Sequence, residues 1–114
     1  MGWIGVDLDG TLAEYKSGTG GEFIGKPIQP MLIRVLDWMN AGKEVKIFTA
    51  RATEGPGRDE WLAPVRAWLI EHLGADKGGR IEITNVKDYA MIELWDDRAI
   101  QVEINTGRRV DGKP

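Results

Sequence analysis

Two short apolar runs, each followed by a stretch with helical apolar spacing, constrain the fold of this chain more than any other feature. The first run is Trp3-Ile4-Gly5-Val6-Asp7-Leu8, and Asp9-Gly10-Thr11 breaks it with turn chemistry. It reads as a buried strand that delivers its C-terminal end to a loop. Residues 10–29 form a long glycine-rich loop, with Gly18, Gly20, Gly21 and Gly25 close together. Pro30 suits a first helical turn, Leu32, Val35, Leu36 and Met39 follow on one face, and Gly42 supplies a stop. Residues 44–49 are the second strand, with Val45, Ile47 and Phe48 as its apolar content, and a loop spans 51–57. The clearest helix is 58–73, where Trp61, Leu62, Val65, Trp68, Leu69, His72 and Leu73 share a face before Gly74. Three further short strands are expected at 81–83, 92–95 and 100–104.

The order β-α-β-α-β-β-β predicts an α/β fold: a mostly parallel sheet of about five strands, with ligands outside the carboxyl ends of its strands. A chain of 114 residues accommodates one core, expected over residues 1–104, with 105–114 as a polar, flexible tail. Five tryptophans supply apolar area that so short a chain needs. The formal charge of −3 argues against generic binding to nucleic acid or to a membrane surface. With no cysteine, disulfides and thiolate metal sites are impossible. No leader pattern or apolar span of roughly 20 residues is evident, so a soluble cytoplasmic protein is the expectation.

Asp7 and Asp9 are two apart at a strand end, so both carboxylates project to one side while Val6 and Leu8 face the core. Carboxylates this close must bind a cation or keep a proton. Both outcomes serve phosphoryl transfer, one Asp as nucleophile and the other as proton donor to the leaving oxygen. A polar strand end is the plainer reading of that pair alone. A calcium loop is excluded, because Leu12 and Gly18 stand where Gly and Glu are needed.

Asp96-Asp97 follows the apolar strand Ile92-Glu93-Leu94-Trp95 and, in a parallel sheet, reaches the same edge as Asp7. Three or four carboxylates there require a divalent cation, and an all-oxygen set favours magnesium. A solvated Asp-Asp turn is the alternative. Thr49-Ala50-Arg51 ends the second strand, where a hydroxyl, free N–H groups and a guanidinium can hold phosphate oxygens. Lys87, just before the Asp96-bearing strand, offers an ammonium for the same charge, or a surface pair with Asp88. Two features are set aside. Gly20 to Lys26 has the spacing G-x-x-x-x-G-K, but Pro27 follows where a P-loop needs Ser or Thr. His72 reads as a packed histidine at the core edge.

Taken in order, Asp7-Leu8-Asp9-Gly10-Thr11, Phe48-Thr49, Lys87 and Asp96-Asp97 resemble the four motifs of the haloacid dehalogenase superfamily. The resemblance spans residues 3 to 104. It implies a three-layer Rossmann-like sheet, Asp7 as the nucleophile that forms an aspartyl-phosphate, and Asp9 as the acid that later activates water. It also implies phosphoryl contacts from Thr49 and Lys87. Magnesium would be held by Asp7, the Asp9 carbonyl and Asp96, with Asp97 behind them or as an alternate ligand. The Asp at the second position of the first motif is similar to phosphatases rather than dehalogenases. Two departures stand out: only nine positions separate Lys87 from Asp96, and no segment is long enough for a cap domain.

The expected activity is therefore a magnesium-dependent phosphomonoester hydrolase acting on a phosphorylated small molecule or macromolecule. Capless members resemble enzymes of large substrates, or homo-oligomers whose neighbours roof the site. An exposed Trp38 hints at self-association, with a core role as the alternative. Two other readings remain: a nucleotide or nucleic-acid end phosphatase, suggested by Arg51, Arg58, Arg108 and Arg109, and a magnesium- or phosphate-binding interaction module without turnover.

Overall fold

A computed structural model of the chain describes residues 2–16 and 23–114. Gly18, Gly20, Gly21 and Glu22, which carry part of the glycine-rich loop and of the G-x-x-x-x-G-K spacing, lie outside the described residues. The described fold is α/β with a four-stranded, all-parallel sheet. Its strands are β1 (Trp3–Val6), β2 (Glu44–Phe48), β3 (Glu82–Thr84) and β4 (Met91–Trp95), in the spatial order β3-β2-β1-β4. Helix α1 (Gln29–Asn40) joins β1 to β2, and α2 (Arg58–Leu73) with the short α3 (Ala75–Arg80) joins β2 to β3. Among the described residues no helix is long and apolar enough to cross a membrane.

The pairing register explains the core. Ile4 lies beside Val45, Val6 beside Ile47, and Ile47 beside Ile83, so these side chains share one face of the sheet. They form a single buried cluster with Met31, Leu32, Val35 and Met39 of α1 and Val65, Trp68, Leu69 and Leu73 of α2. Both helices thus cover the same face. The steps β1 to β2 and β2 to β3 run the same way across the sheet, and right-handed crossovers in one direction stack on one side.

The return step from β3 to β4 must use the other face, and it has only residues 85–90 to do so. No helix forms there, so the second helix layer of a three-layer sheet does not appear among the described residues. A polar clamp takes its place. The Trp3 indole donates to Asp88 Oδ1 at 2.7 Å, and Lys46 Nζ sits 4.6 Å from the Trp3 ring and 3.9 Å from Asp88 Oδ2. Those contacts bury Trp3 to 2% exposure without a helix above it.

Several expectations need correction. Residues 100–104 are not a strand, so the sheet has four strands rather than about five. Ile100, Val102 and Ile104 have strand-like alternation but no ladder beside them; only one bridge forms, from Val102 to Arg109. The sequence reading places no element between Gly74 and Ile81, where the structure has α3 with Gly78 and Gly79 inside it. Gly78 is required: a Cβ there would overlap the Leu69 carbonyl of α2, so only glycine lets α3 pack this closely. Trp61 turns outward and is 60% exposed, while His72 packs its ring on Trp68 at 4.6 Å between centroids. Trp38 is half-buried against Trp95, with ring centroids 5.2 Å apart.

Candidate active site

All four strands run parallel, so their C-terminal ends meet at one edge. Asp7 follows β1, Thr49 follows β2, Asn85 follows β3 and Asp96 follows β4. All four line one cavity of about 570 Å³, together with Asp9, Ala50, Arg51 and Asp97. The sequence reading omitted Asn85, Tyr15 and Arg98 from this group, and each of them also lines the cavity.

The acidic centre is built from two strand ends. Asp7, Asp96 and Asp97 each offer a carboxylate oxygen, and these oxygens lie within 4.8 Å of one another. Local hydrogen bonds hold the group. The Arg98 N–H donates to Asp96 Oδ1 at 2.7 Å. Thr11 Oγ1 accepts the Asp97 N–H at 3.0 Å and lies 3.2 Å from Asp97 Oδ1 and 3.4 Å from Asp7 Oδ2. Thr11 therefore ties the β1 loop to the β4 loop, a role that its place in the first motif signals and that its residue type alone does not. Gly10, with φ of +94°, leaves the space that Asp97 needs: a Cβ would stand 2.5 Å from Asp97 Oδ2.

Burial, then the charge of Asp96, then a hydrogen bond and charge from Asp97 push the Asp7 carboxyl up to about 7. The Leu8 N–H pulls the other way. An acid so strained by like charge is one that a cation relieves. The donor set is all carboxylate oxygen, which fits a hard divalent ion such as magnesium, and Asp7, Asp96 and Asp97 are the residues that would hold it.

Asp9 and Arg51 meet differently from expectation. Arg51 Nε donates to Asp9 Oδ2 at 2.7 Å and Nη2 to Asp9 Oδ1 at 2.9 Å, a two-pronged fork. Nη2 also reaches the Phe23 carbonyl at 2.8 Å. The Asp9 carboxylate is thus aimed at Arg51 and stands outside the acidic triad. Its hydrogen bonds in turn raise the Arg51 pKa. The guanidinium expected on a substrate phosphate is instead occupied by Asp9.

Thr49 is 3% exposed and opens a 3-10 turn over Ala50–Ala52, its Oγ1 accepting the Arg51 N–H at 3.2 Å. That bond uses a lone pair and leaves the hydroxyl proton to donate into the cavity. Ala50, the first residue of the turn, has an N–H with no acceptor inside it.

Lys87 is not brought to this cavity. The crossover leaves the sheet edge at Asn85 and carries Lys87 into a second hollow of about 660 Å³, beside β4 and residues 99–101, which Asp96 also borders. The short interval between Lys87 and Asp96 is the physical cause, since no helix is present to return the ammonium to the edge.

Comparison of the chain with protein-family models, with curated proteins and with solved structures finds no match.

Proposed function

We propose that the chain is a magnesium-dependent phosphomonoester hydrolase of haloacid-dehalogenase type, without a cap domain. The observation that carries this reading is the meeting of three carboxylate oxygens from β1 and β4 within 4.8 Å, beside a buried threonine hydroxyl. A bound magnesium ion would supply charge neutralisation for these carboxylates and for the phosphoryl oxygens.

The chain's own residues supply the rest. An Asp7 carboxylate oxygen attacks phosphorus, and the bond from phosphorus to the ester oxygen breaks. Asp9, released from the Arg51 fork by the substrate and protonated from solvent, gives that proton to the departing oxygen, leaving an acyl phosphate on Asp7. Asp9, now a carboxylate, takes a proton from water as the water attacks phosphorus, and Asp7 is regenerated with inorganic phosphate released. The Thr49 hydroxyl and the Ala50 N–H hold the transferring oxygens. Lys87 has no part in this scheme as it stands in the fold.

Phosphate release from an aryl phosphate is expected to require magnesium and to vanish in Asp7→Asn. Undiminished release by Asp7→Asn removes Asp7 from the mechanism. One observation favours a second reading, a phosphate-binding module without turnover: the Arg51 fork closes on both Asp9 oxygens, so Asp9 is not poised as an acid until a ligand displaces it. Tight binding of beryllium fluoride with no turnover across a broad set of phosphoesters would select that reading.

A further inference from the structure

The mouth of the cavity carries groups that the hydrolytic steps do not use. Tyr15 lines it and is 65% exposed, so its ring has a face open to a ligand. Arg98 lines it too, and among the described residues its guanidinium makes no hydrogen bond or ion pair; only its main-chain N–H is engaged, on Asp96. Asn85 adds an exposed amide from the end of β3. Single exposed aromatics are common on protein surfaces. This one lines the same acidic cavity as an uncommitted arginine and an amide, the donor and stacking set that a flat, acceptor-rich ring requires.

We infer that the substrate is a mononucleotide, with its phosphate at Asp7 and Thr49 and its base stacked on Tyr15 within reach of Arg98 and Asn85. The inference rests on the phosphatase reading and names its substrate class. Cavity size agrees: about 570 Å³ lies within the range of roughly 300–1,000 Å³ typical of small-ligand sites. A polynucleotide is disfavoured by charge. The chain carries a formal −3, and the cavity lining has four aspartates against two arginines, one of which is held by Asp9.

The test compares adenosine 5′-monophosphate with glycerol phosphate, which has no ring, by phosphate release in magnesium. Calorimetric binding of adenosine 5′-monophosphate to the Asp7→Asn protein is measured alongside. Wild-type kcat/KM is expected to favour the nucleotide by about tenfold or more, as stacking on one aromatic side chain supports. Tyr15→Ala is expected to erase most of that preference through KM, and Tyr15→Phe to keep it. A preference unchanged in Tyr15→Ala, no preference in the wild type, or faster turnover of a 5′-phosphorylated oligonucleotide would each overturn the inference. The two claims fail separately. Hydrolysis of glycerol phosphate without nucleotide preference sinks the substrate class and keeps the phosphatase. Tyr15-dependent nucleotide binding without phosphate release from either compound does the reverse.

Discussion

At the scale of single residues, Asp7 feels burial and two neighbouring carboxylates acting in the same direction. In the metal-free protein the folded chain keeps a proton on Asp7 up to about pH 7, whereas an unfolded chain releases it near pH ~3.9. Between those values the folded state binds the extra proton, so its stability falls as pH rises. Melting temperature in EDTA is expected to decline across that window, and Asp7→Asn to flatten the decline. A melting temperature that climbs over the same interval would contradict the placement of the three carboxylates. Arg51 gives a second expectation. Replacing it by Leu releases both Asp9 oxygens, which the fork otherwise withholds from proton transfer, so kcat/KM is expected to rise rather than fall, by up to about tenfold. Arg51→Lys keeps a charge without the fork, so it should lie between Leu and the wild type. A large loss of kcat/KM in Arg51→Leu would show that the fork positions Asp9 for the reaction. Strand order made it legible that Asp7 and Asp96 share one edge, but not that Asp97 rather than Asp9 completes the triad. These residues follow the ends of β1 and β4, where strand alternation no longer directs them. The Arg51–Asp9 fork was not legible either, because nothing in Thr49-Ala50-Arg51 says which anion the guanidinium meets.

At the scale of elements, apolar periodicity located α1, α2 and the four strands of the sheet to within a residue or two. It failed where a partner decides the outcome. Residues 100–104 alternate like a strand yet have no ladder to join. Trp61 lies on the expected apolar face near the start of α2, yet it turns outward and is exposed. Helix α3 was hidden by its own glycines. Gly78 and Gly79 are adjacent and opposite in meaning: a Cβ at 78 strikes the α2 backbone, while a Cβ at 79 meets open space. Gly78→Ala should therefore destabilise the fold by about 1–3 kcal/mol through overpacking. Gly79→Ala should gain up to about 1 kcal/mol from helix propensity. Denaturant midpoints of the two variants check this; equal effects would mean that α3 does not pack on α2 as described.

At the scale of the whole molecule, alternation of strand and helix fixes parallel strands, and parallel strands fix a single edge where four strand ends can cooperate. That is why Asp7, Thr49, Asn85 and Asp96 line one cavity although they come from distant parts of the chain. The layering was less legible. Two crossovers in one direction put both long helices on one face, and the short return over residues 85–90 leaves the other to a clamp of Trp3, Lys46 and Asp88. The same short return strands Lys87 outside the site, so the β4 side of the cavity is served by Arg98 instead. The proposed function turns on a bond between Asp7 and phosphorus. Rapid acid quench during turnover of an aryl phosphate in magnesium, followed by peptide mass mapping, should find one phosphoryl group on the peptide containing Asp7. It should be missing from the Asp7→Asn protein. Steady phosphate release with no phosphoryl group ever captured on that peptide, and with Asp7→Asn still active, would mean that Asp7 is not the attacking group.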